Sequence, residues 1–336
     1  MNDAAYYNAI AIALFADYAK IARVRGSASS WKDVWDARPE LHRVNPEAAW
    51  KELQARGIAL ILHEDDEYPS ALKEIAQPPF ALYIKGALPK KGVKMLAIVG
   101  TRRATAGGKD AARTFAETLG RSGWCIVSGL ALGVDGAAHA GALEVKGATL
   151  AVMACGLDTV YPSEHASLAE RILNEGGALI SEYPIGGETL PYRFLERNRI
   201  VSGLARGALI IEAPERSGSL ATAKFALDQN REVFVTPGPL THPNFAGSHA
   251  LIKAGAALVT TPDDIRLAFG EDVAPKSGEK TPELSGDERL VYETLKATTN
   301  GATIDKLAET ANLPSYVVSR VVTFLQLKGI IRESAG

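Results

Sequence analysis

The sequence predicts an α/β protein with a doubly wound, mostly parallel sheet at its centre and smaller helical domains before and after it. Two observations support this prediction. Short apolar runs rich in β-branched residues alternate with helical patterns over residues 95–260, and repeated strand–helix–strand units favour parallel pairing. The runs are continuously apolar, which is typical of strands that are covered on both faces of a sheet.

Residues 1–80 predict the first helical domain. A long helical pattern covers Ala4–Ala22, and Ile58–Leu62 could form one strand. A loop rich in Pro, Gly and Lys, Leu88–Lys94, then leads into the sheet. We therefore expect a domain boundary between residues 80 and 81.

Residues 81–270 predict the sheet and the helices that cover it. The expected strands are Met95–Val99, Trp124–Val127, Thr149–Met153, Ala178–Ile180, Ala208–Ile211, Glu232–Val235 and Ala257–Val259. The expected helices lie near Lys109–Arg121, Gly136–Val145, Glu164–Asn174, Leu195–Gly203, Leu220–Gln229 and Gly247–Lys253. Because ligands of such sheets bind at the carboxyl ends of the strands, the loops that follow the strands are the expected site.

The last part of the chain predicts a linker and a winged helix-turn-helix. Residues 271–285 are rich in Glu, Lys, Pro and Gly without periodic pattern, which is typical of a linker. Residues 286–336 contain three helical patterns and one short apolar stretch, namely Asp287–Leu295, Ile304–Thr310, Ser315–Lys328 and Gly329–Glu333. Residues 283–336 contain six basic and seven acidic residues. This balance favours a domain that contacts another protein over one that reads DNA.

Composition and charge exclude several classes of protein. The 336 residues carry 37 Lys and Arg against 39 Asp and Glu, a net charge of −2, which excludes a polycation that binds nucleic acid by bulk charge. Only residues 81–282 lean positive, with 22 basic and 20 acidic residues. No run approaches the ~20 apolar residues of a membrane span. Cys125 and Cys155 are expected to be buried, reduced thiols in a soluble cytoplasmic protein.

Three loops of the core have the composition of anion sites. Gly100-Thr101-Arg102-Arg103 follows the first core strand, and backbone amides before a helix together with two guanidiniums suit phosphate. Ser128-Gly129 follows the second core strand in a similar way. Ser217-Gly218-Ser219 precedes a helix, where an oxyanion site and an ordinary N-cap are both open.

Two further patterns leave alternatives open. In Arg197-Asn198-Arg199 the two arginines point to different faces of a helix, so one can face a ligand while the other pairs with a carboxylate, Glu182 or Glu212. Asp135 and His139 stand four apart on a helix. They could be metal ligands, but a capping Asp bonded to His is favoured.

No catalytic set is recognisable in the sequence. It contains no G-x-S-x-G elbow, H-E-x-x-H helix, Cys/His zinc spacing, G-x-G-x-x-G turn or P-loop, so neither metal nor cofactor is expected. Several phosphate-binding loops without a nucleophile favour a protein that binds a polyanion. Successive anion sites along one edge of a sheet would match the spaced phosphates of a single strand.

These motifs, in this order, resemble the DNA-processing protein A family, also called DprA or Smf. The segments that carry the resemblance are AIVGTRRAT, SGLALGVDGAAHAGAL, MACGLDTVYPSEH, SEYPIGGE, RNRIVSGLA, EAPERSGSLATAKFAL and REVFVTPG. The resemblance implies a Rossmann-like core that binds single-stranded DNA without catalysis, and a sterile-alpha-motif-like N-terminal domain. It further implies a homodimer that loads a RecA-type recombinase onto DNA in natural transformation.

The resemblance also implies which residues contact DNA. The expected contacts are Gly100, Thr101, Arg102, Arg103, Ser128 and Gly129, with Arg197, Asn198, Ser217, Gly218 and Ser219 lining the same pocket. The main alternative is an enzyme on nucleotides with a related architecture. Such enzymes typically carry a Pro-Gly-Gly-x-Gly-Thr loop, and the comparable stretch here is Pro237-Gly238-Pro239-Leu240.

Overall fold

The computed structural model describes residues 2–273, 284–298, 302–328 and 330–331. The chain divides into two compact units, Met1–Glu271 and Asp272–Gly336, which are treated separately below. The predicted linker, 271–285, lies mostly outside the described residues. Within the described ranges, no helix is both long and apolar enough to cross a membrane.

The first unit contains a nine-stranded sheet whose strands run β1-β2-β6-β5-β4-β3-β7-β8-β9 across it. The pairs from β6 to β9 in this order are parallel, whereas β1 pairs with β2, and β2 with β6, in antiparallel fashion. The bounds are β1 Ile58–Leu62, β2 Ala81–Gly86, β3 Met95–Gly100, β4 Cys125–Ser128, β5 Thr149–Met153, β6 Ala178–Ser181, β7 Gly207–Ile211, β8 Glu232–Val235 and β9 Ala257–Leu258. The prediction of a mostly parallel sheet is confirmed.

The sequence analysis missed strand β2, which follows two prolines and ends at Gly86. Since β1 and β2 pair with each other and β2 pairs with β6, the strand Ile58–Leu62 belongs to the same sheet as the core. A domain boundary between residues 80 and 81 stays a prediction. The hydrogen bonds between β1 and β2 join residues on the two sides of that point.

Twelve helices accompany the sheet within residues 2–273. Their bounds are α1 Asp3–Ala13, α2 Tyr18–Arg25, α3 Trp31–Asp36, α4 Pro46–Ala55, α5 Ser70–Lys73, α6 Ala106–Arg121, α7 Val134–Glu144, α8 Ala166–Asn174, α9 Pro191–Leu204, α10 Gly218–Asp228, α11 Ala246–Lys253 and α12 Pro262–Ala268. The single helix expected over Ala4–Ala22 was wrong. Phe15 and Ala16 have φ of +57° and +53°, which breaks the helix, and Asp17 then caps α2.

Side chains from alternate positions of the strands enter two different apolar clusters. In β3, Leu96 and Ile98 pack with α6 and α7, whereas Ala97 and Val99 pack with α9 and α10. The sheet is therefore covered on both faces, and β5 and β7 are buried at every residue. This explains the continuously apolar runs in the sequence. Cys125 and Cys155 are both free and buried, as predicted.

The second unit contains the three predicted helices. They are α13 Gly286–Lys296, α14 Ile304–Ala311 and α15 Ser315–Leu327, and they pack around a small core. Val291, Leu307, Val318 and Leu325 form the buried centre of that core. The predicted strand Gly329–Glu333 lies mostly outside the described residues, so a winged helix stays a prediction.

Candidate nucleic-acid interface

A groove of about 530 Å³ opens at the carboxyl ends of the neighbouring strands β3 and β7. The chain proceeds from β3 towards one edge of the sheet and from β7 towards the other, so the groove lies where the strand order reverses. Doubly wound sheets bind ligands at this place. We call it the Arg102 groove. It is lined by nine of the predicted contact residues, namely Gly100, Thr101, Arg102, Arg103, Arg197, Asn198, Ser217, Gly218 and Ser219.

The loop after β3 is held by backbone contacts to β7. A Cβ atom at Gly100 would lie 1.9 Å from the Ile211 carbonyl oxygen, so only glycine fits where the two strands approach. The Thr101 N–H donates to the Glu212 carbonyl at 2.8 Å, and the Arg103 N–H donates to the Thr101 hydroxyl at 3.2 Å. This fixed backbone leaves the Arg102 and Arg103 side chains exposed.

Three guanidiniums on the groove carry charge that no carboxylate balances. Arg102, Arg103 and Arg216 are exposed and form no ion pair with another residue of 2–273. Asp135 is the one acidic residue among those that line the groove, and it is only 5% exposed. The groove therefore presents an excess of positive charge suited to phosphate.

The amino end of α10 forms the opposite wall of the groove. Ser217 is the N-cap residue, and its hydroxyl lies 2.7 Å from the Ser219 hydroxyl. The Asn198 side-chain amide donates to the Gly218 carbonyl at 3.2 Å, which joins this turn to α9. The positive end of the α10 dipole adds partial positive charge to that of the arginines.

Arg197 is a buried part of the wall rather than a free cation. Its Nη1 donates to the Gly129 carbonyl at 2.8 Å and also to the Val152 carbonyl. Burial lowers the pKa of Arg197, and the nearby Asp135 carboxylate opposes that effect. Burial likewise raises the pKa of Asp135, against the influence of Arg197 and of the Gly129 and Ala131 N–H groups that its carboxylate accepts.

Ser128 and Gly129 lie behind the groove and do not line it. The Ser128 hydroxyl is fully buried and donates to the Ile98 carbonyl at 2.7 Å. A Cβ atom at Gly129 would come within 2.6 Å of the Arg197 guanidinium. Direct DNA contact by these two residues stays a prediction, and their positions support the loop that holds Arg197.

The expected bond between Asp135 and His139 was wrong. The Thr149 hydroxyl donates to the Ile126 carbonyl at 2.9 Å and therefore accepts from His139 Nδ1, 2.7 Å away. Asp135 instead turns back to the loop before α7. Within the described residues no group of three His, Cys, Asp or Glu side chains could hold a metal.

His139 predicts a loss of stability in acid. It is completely buried, and burial lowers its pKa to about 3. In the unfolded chain a histidine takes up a proton near pH 6.5, whereas His139 in the folded protein stays neutral until about pH 3. The contribution of His139 to the free energy of unfolding is therefore complete above pH 6.5 and is lost as the pH falls towards 3. Between pH 7.5 and 4 we expect His139 to account for about 3 kcal/mol of lost unfolding free energy.

Urea unfolding followed by tryptophan fluorescence measures this effect. The variant His139→Gln can still donate to Thr149 but does not titrate. Between pH 7.5 and 4 it should therefore lose about 3 kcal/mol less unfolding free energy than the wild type. An identical pH dependence in the two proteins would contradict the assignment.

Two aromatic side chains lie beside the free arginines, and they were not predicted from the sequence: Tyr161 is exposed and Phe194 is half-buried. The Tyr161 and Phe194 rings lie 5.4 Å apart, and both residues line the groove. The Arg102 guanidinium lies 4.9 Å from the Phe194 ring. Phe194 precedes Arg197 by three positions on α9, and this spacing, which places both on one face, was the signal available in the sequence.

Two further arginines of α9 fasten the helix to its surroundings. Arg199 pairs with Glu182 at 2.6 Å with both side chains buried, which confirms one of the two predicted partners. Arg193 donates to the Glu188 and Phe15 carbonyls, each at 2.8 Å.

The other predicted partner, Glu212, has a different role. Its buried carboxylate accepts the Thr105 N–H at 3.0 Å and the Asn244 side-chain amide at 2.8 Å. These bonds join Glu212, the residue after β7, to Thr105, the N-cap residue of α6. They therefore support the loop between β3 and α6, which carries Arg102.

Comparisons with known proteins match most of the chain. A family model described as DNA recombination-mediator protein A matches residues 59–270, a range that contains the Arg102 groove. The chain is 42% identical over 284 residues to Protein Smf of Escherichia coli, covering 82% of this chain and 76% of that protein. It is also 42% identical over 229 residues to DNA processing protein DprA of Bacillus subtilis, covering 68% of this chain and 75% of that protein.

Two solved structures are similar to the fold. The X-ray structure of DNA processing protein A from Streptococcus pneumoniae has a TM-score of 0.65 and 33% identity, covering 81% of this chain and 94% of that one. DNA processing protein A from Helicobacter pylori, described for its single-stranded DNA binding mode, has a TM-score of 0.56 and 29% identity. That comparison covers 63% of this chain and 95% of the other.

Proposed function

Since the chain belongs to the DNA recombination-mediator protein A family, we propose that it binds single-stranded DNA in the Arg102 groove and loads a RecA-type recombinase onto the strand. The family description, a mediator of DNA recombination, supports a role beside a recombinase. Natural transformation is the proposed setting, in the cytoplasm, and the two buried free thiols fit a reducing compartment. The proposal includes no catalytic step, cofactor or metal.

The observation that carries the proposal is the group of exposed cations on one groove. Arg102, Arg103 and Arg216 are unbalanced by carboxylates and lie around the amino end of α10. Tyr161 and Phe194 add π-faces on which bases can stack, and base–aromatic stacking is worth about 1–3 kcal/mol per base. Bases inside a duplex are already stacked on one another, so this combination favours a single strand.

A homodimer is also part of the proposal. Two segments late in the core are candidates for the dimer face, Leu220–Gln229 and Leu251–Val259. Each presents a leucine to solvent, since Leu227 is 57% and Leu258 51% exposed. Leu258 belongs to β9, the strand at one edge of the sheet, where a second chain can pack.

For residues 286–336 we propose a winged helix that contacts protein rather than DNA. The exposed face of α15 carries Tyr316, Phe324 and Leu327, exposed by 74%, 51% and 78%. Arg320 is the one basic residue on that helix. A DNA-reading helix would instead need several cationic and amide side chains at these positions.

Binding to single strands should be strong, preferential and dependent on salt. We expect a labelled 20-nucleotide oligothymidylate to bind at least about 10-fold more tightly than a 20-base-pair duplex, because only its bases are free to stack. With three phosphate contacts, a plot of log affinity against log salt concentration should have a slope of about −2. Fluorescence anisotropy titrations at several salt concentrations measure both quantities.

The same preparation should be assayed for nucleotide hydrolysis. Equal affinity for the two DNAs would contradict the proposed loading role, and a slope near zero would contradict phosphate contact by arginines. Release of base or phosphate from a nucleotide would favour the alternative of an enzyme.

A further inference from the structure

A second groove, of about 590 Å³, lies at the amino ends of the parallel strands, whereas the Arg102 groove lies at their carboxyl ends. It opens beside the amino end of β3, where Met95 lies about 17 Å along the strand from Gly100. Its walls come from the Leu88–Lys94 loop and from the turn that precedes α5. A smaller hollow of about 280 Å³ over β1 and β2 shares Glu67, Leu88, Pro89 and Lys91 with it and so extends it.

The floor of this groove is aliphatic. Leu88, Val93 and Met95 are half-buried and pack on the apolar cluster beneath the sheet. Tyr68 is the one aromatic residue among those that line the groove, but it is only 2% exposed and its hydroxyl donates to the Pro79 carbonyl at 2.8 Å. Unlike the Arg102 groove, this one offers no aromatic face for a base to stack on.

The rim of the groove is cationic. Lys90, Lys91 and Arg206 are exposed and form no ion pair with any residue of 2–273, and the same holds for Lys73. Lys94 also lines the groove, but Glu271 already neutralises it at 2.7 Å. Two exposed carboxylates, Asp66 and Glu67, also line the groove. The lining therefore has four cations and two anions that form no ion pair within residues 2–273.

We propose that this groove, which we call the lysine groove, binds an acidic peptide segment of a partner protein that carries leucine-sized side chains between its carboxylates. The lysines at the rim complement the carboxylates, and the aliphatic floor takes the apolar side chains. A nucleic acid would satisfy the rim but not the floor, because the aliphatic floor offers no aromatic face on which bases could stack. Since the two grooves lie at opposite ends of the parallel strands, both can be occupied at once.

Labelled synthetic peptides test this proposal on the full-length protein. The probe is a fluorescein-labelled peptide of three Asp-Leu-Glu repeats, compared with Asp-Ser-Glu and Lys-Leu-Lys repeats of equal length. Fluorescence anisotropy should show saturable binding of the first peptide and at least 10-fold weaker binding of the other two. The variant Lys90→Glu/Lys91→Glu should bind the first peptide at least 10-fold more weakly than wild type.

The matched control is Lys109→Glu/Lys146→Glu, which reverses two exposed lysines that line neither groove and lie outside the candidate dimer face. It should bind the acidic peptide like wild type, and circular dichroism should show both variants folded. Failure of the wild type to bind the acidic peptide, or unchanged binding by Lys90→Glu/Lys91→Glu, would overturn the proposal. An equal loss of oligothymidylate affinity in that variant would assign the lysine groove to nucleic acid and would also overturn it.

Discussion

Replacing Arg102 with glutamate is expected to lower the affinity of the protein for a 20-nucleotide oligothymidylate about 100-fold. The Arg102 guanidinium is exposed, unpaired within residues 2–273, and lies over the Phe194 ring. Losing a charge-assisted hydrogen bond to phosphate costs about 1.5–3 kcal/mol, and the new carboxylate adds repulsion. Fluorescence anisotropy with the labelled oligonucleotide measures the loss.

Two further variants separate the local contact from general charge. Arg102→Ala removes the contact without adding a negative charge, so its loss should be about 10-fold. Lys146→Glu reverses an exposed charge outside the groove and should leave affinity within about 2-fold. Since the Arg102 side chain forms no hydrogen bond with another residue of 2–273, thermal unfolding should be unchanged. Wild-type affinity in Arg102→Glu would show that DNA does not use this groove.

Replacing Arg199 with methionine is expected to lower the free energy of unfolding by about 3–5 kcal/mol. Methionine fills similar space but leaves the buried Glu182 carboxylate without its partner at 2.6 Å. Burial raises the pKa of Glu182 and Arg199 lowers it, so the variant removes the largest influence that opposes burial. Urea unfolding followed by tryptophan fluorescence measures the change.

The double variant Arg199→Met/Glu182→Met is the matched control. It removes both charges, so it should recover most of the stability lost in the single variant. The single variant should also gain stability as the pH falls towards the raised pKa of Glu182, because its folded state then takes up a proton on that carboxylate while the unfolded chain does not. If the double variant were less stable than the single one, an unpaired buried charge would not be the cause.

The sequence predicted the sheet well because its strands are buried on both faces. A strand such as β5 or β7, apolar at every position, leaves a signal that no exposed segment imitates. The loops after β3 and before α10 were predictable for a related reason, since glycine and small hydroxyl residues at the carboxyl edge of such a sheet have few structural uses other than turns and anion sites. The structure brings Arg102 and Ser217 together on one groove.

Other features depend on contacts between distant parts of the chain. Ser128 has the residue type of a contact but points back to the Ile98 carbonyl, and nothing in its neighbours indicates that direction. His139 bonds to Thr149 on the next strand rather than to Asp135 one turn away. The break at Phe15 occurs within an apolar stretch that has no glycine or proline to mark it.

Three arginines fix helix α9, and they reach Phe15 and Glu188, Gly129 and Val152, and Glu182. Because Arg193 and Arg197 share one face of the helix and Arg199 lies on a different one, α9 cannot rotate or slide without breaking one of these contacts. The wall that carries Phe194 and Asn198 is therefore already in shape before any ligand arrives. On binding of the proposed single strand, most of the conformational entropy would therefore be lost by the flexible DNA. Ordering of the protein would reduce the affinity only slightly.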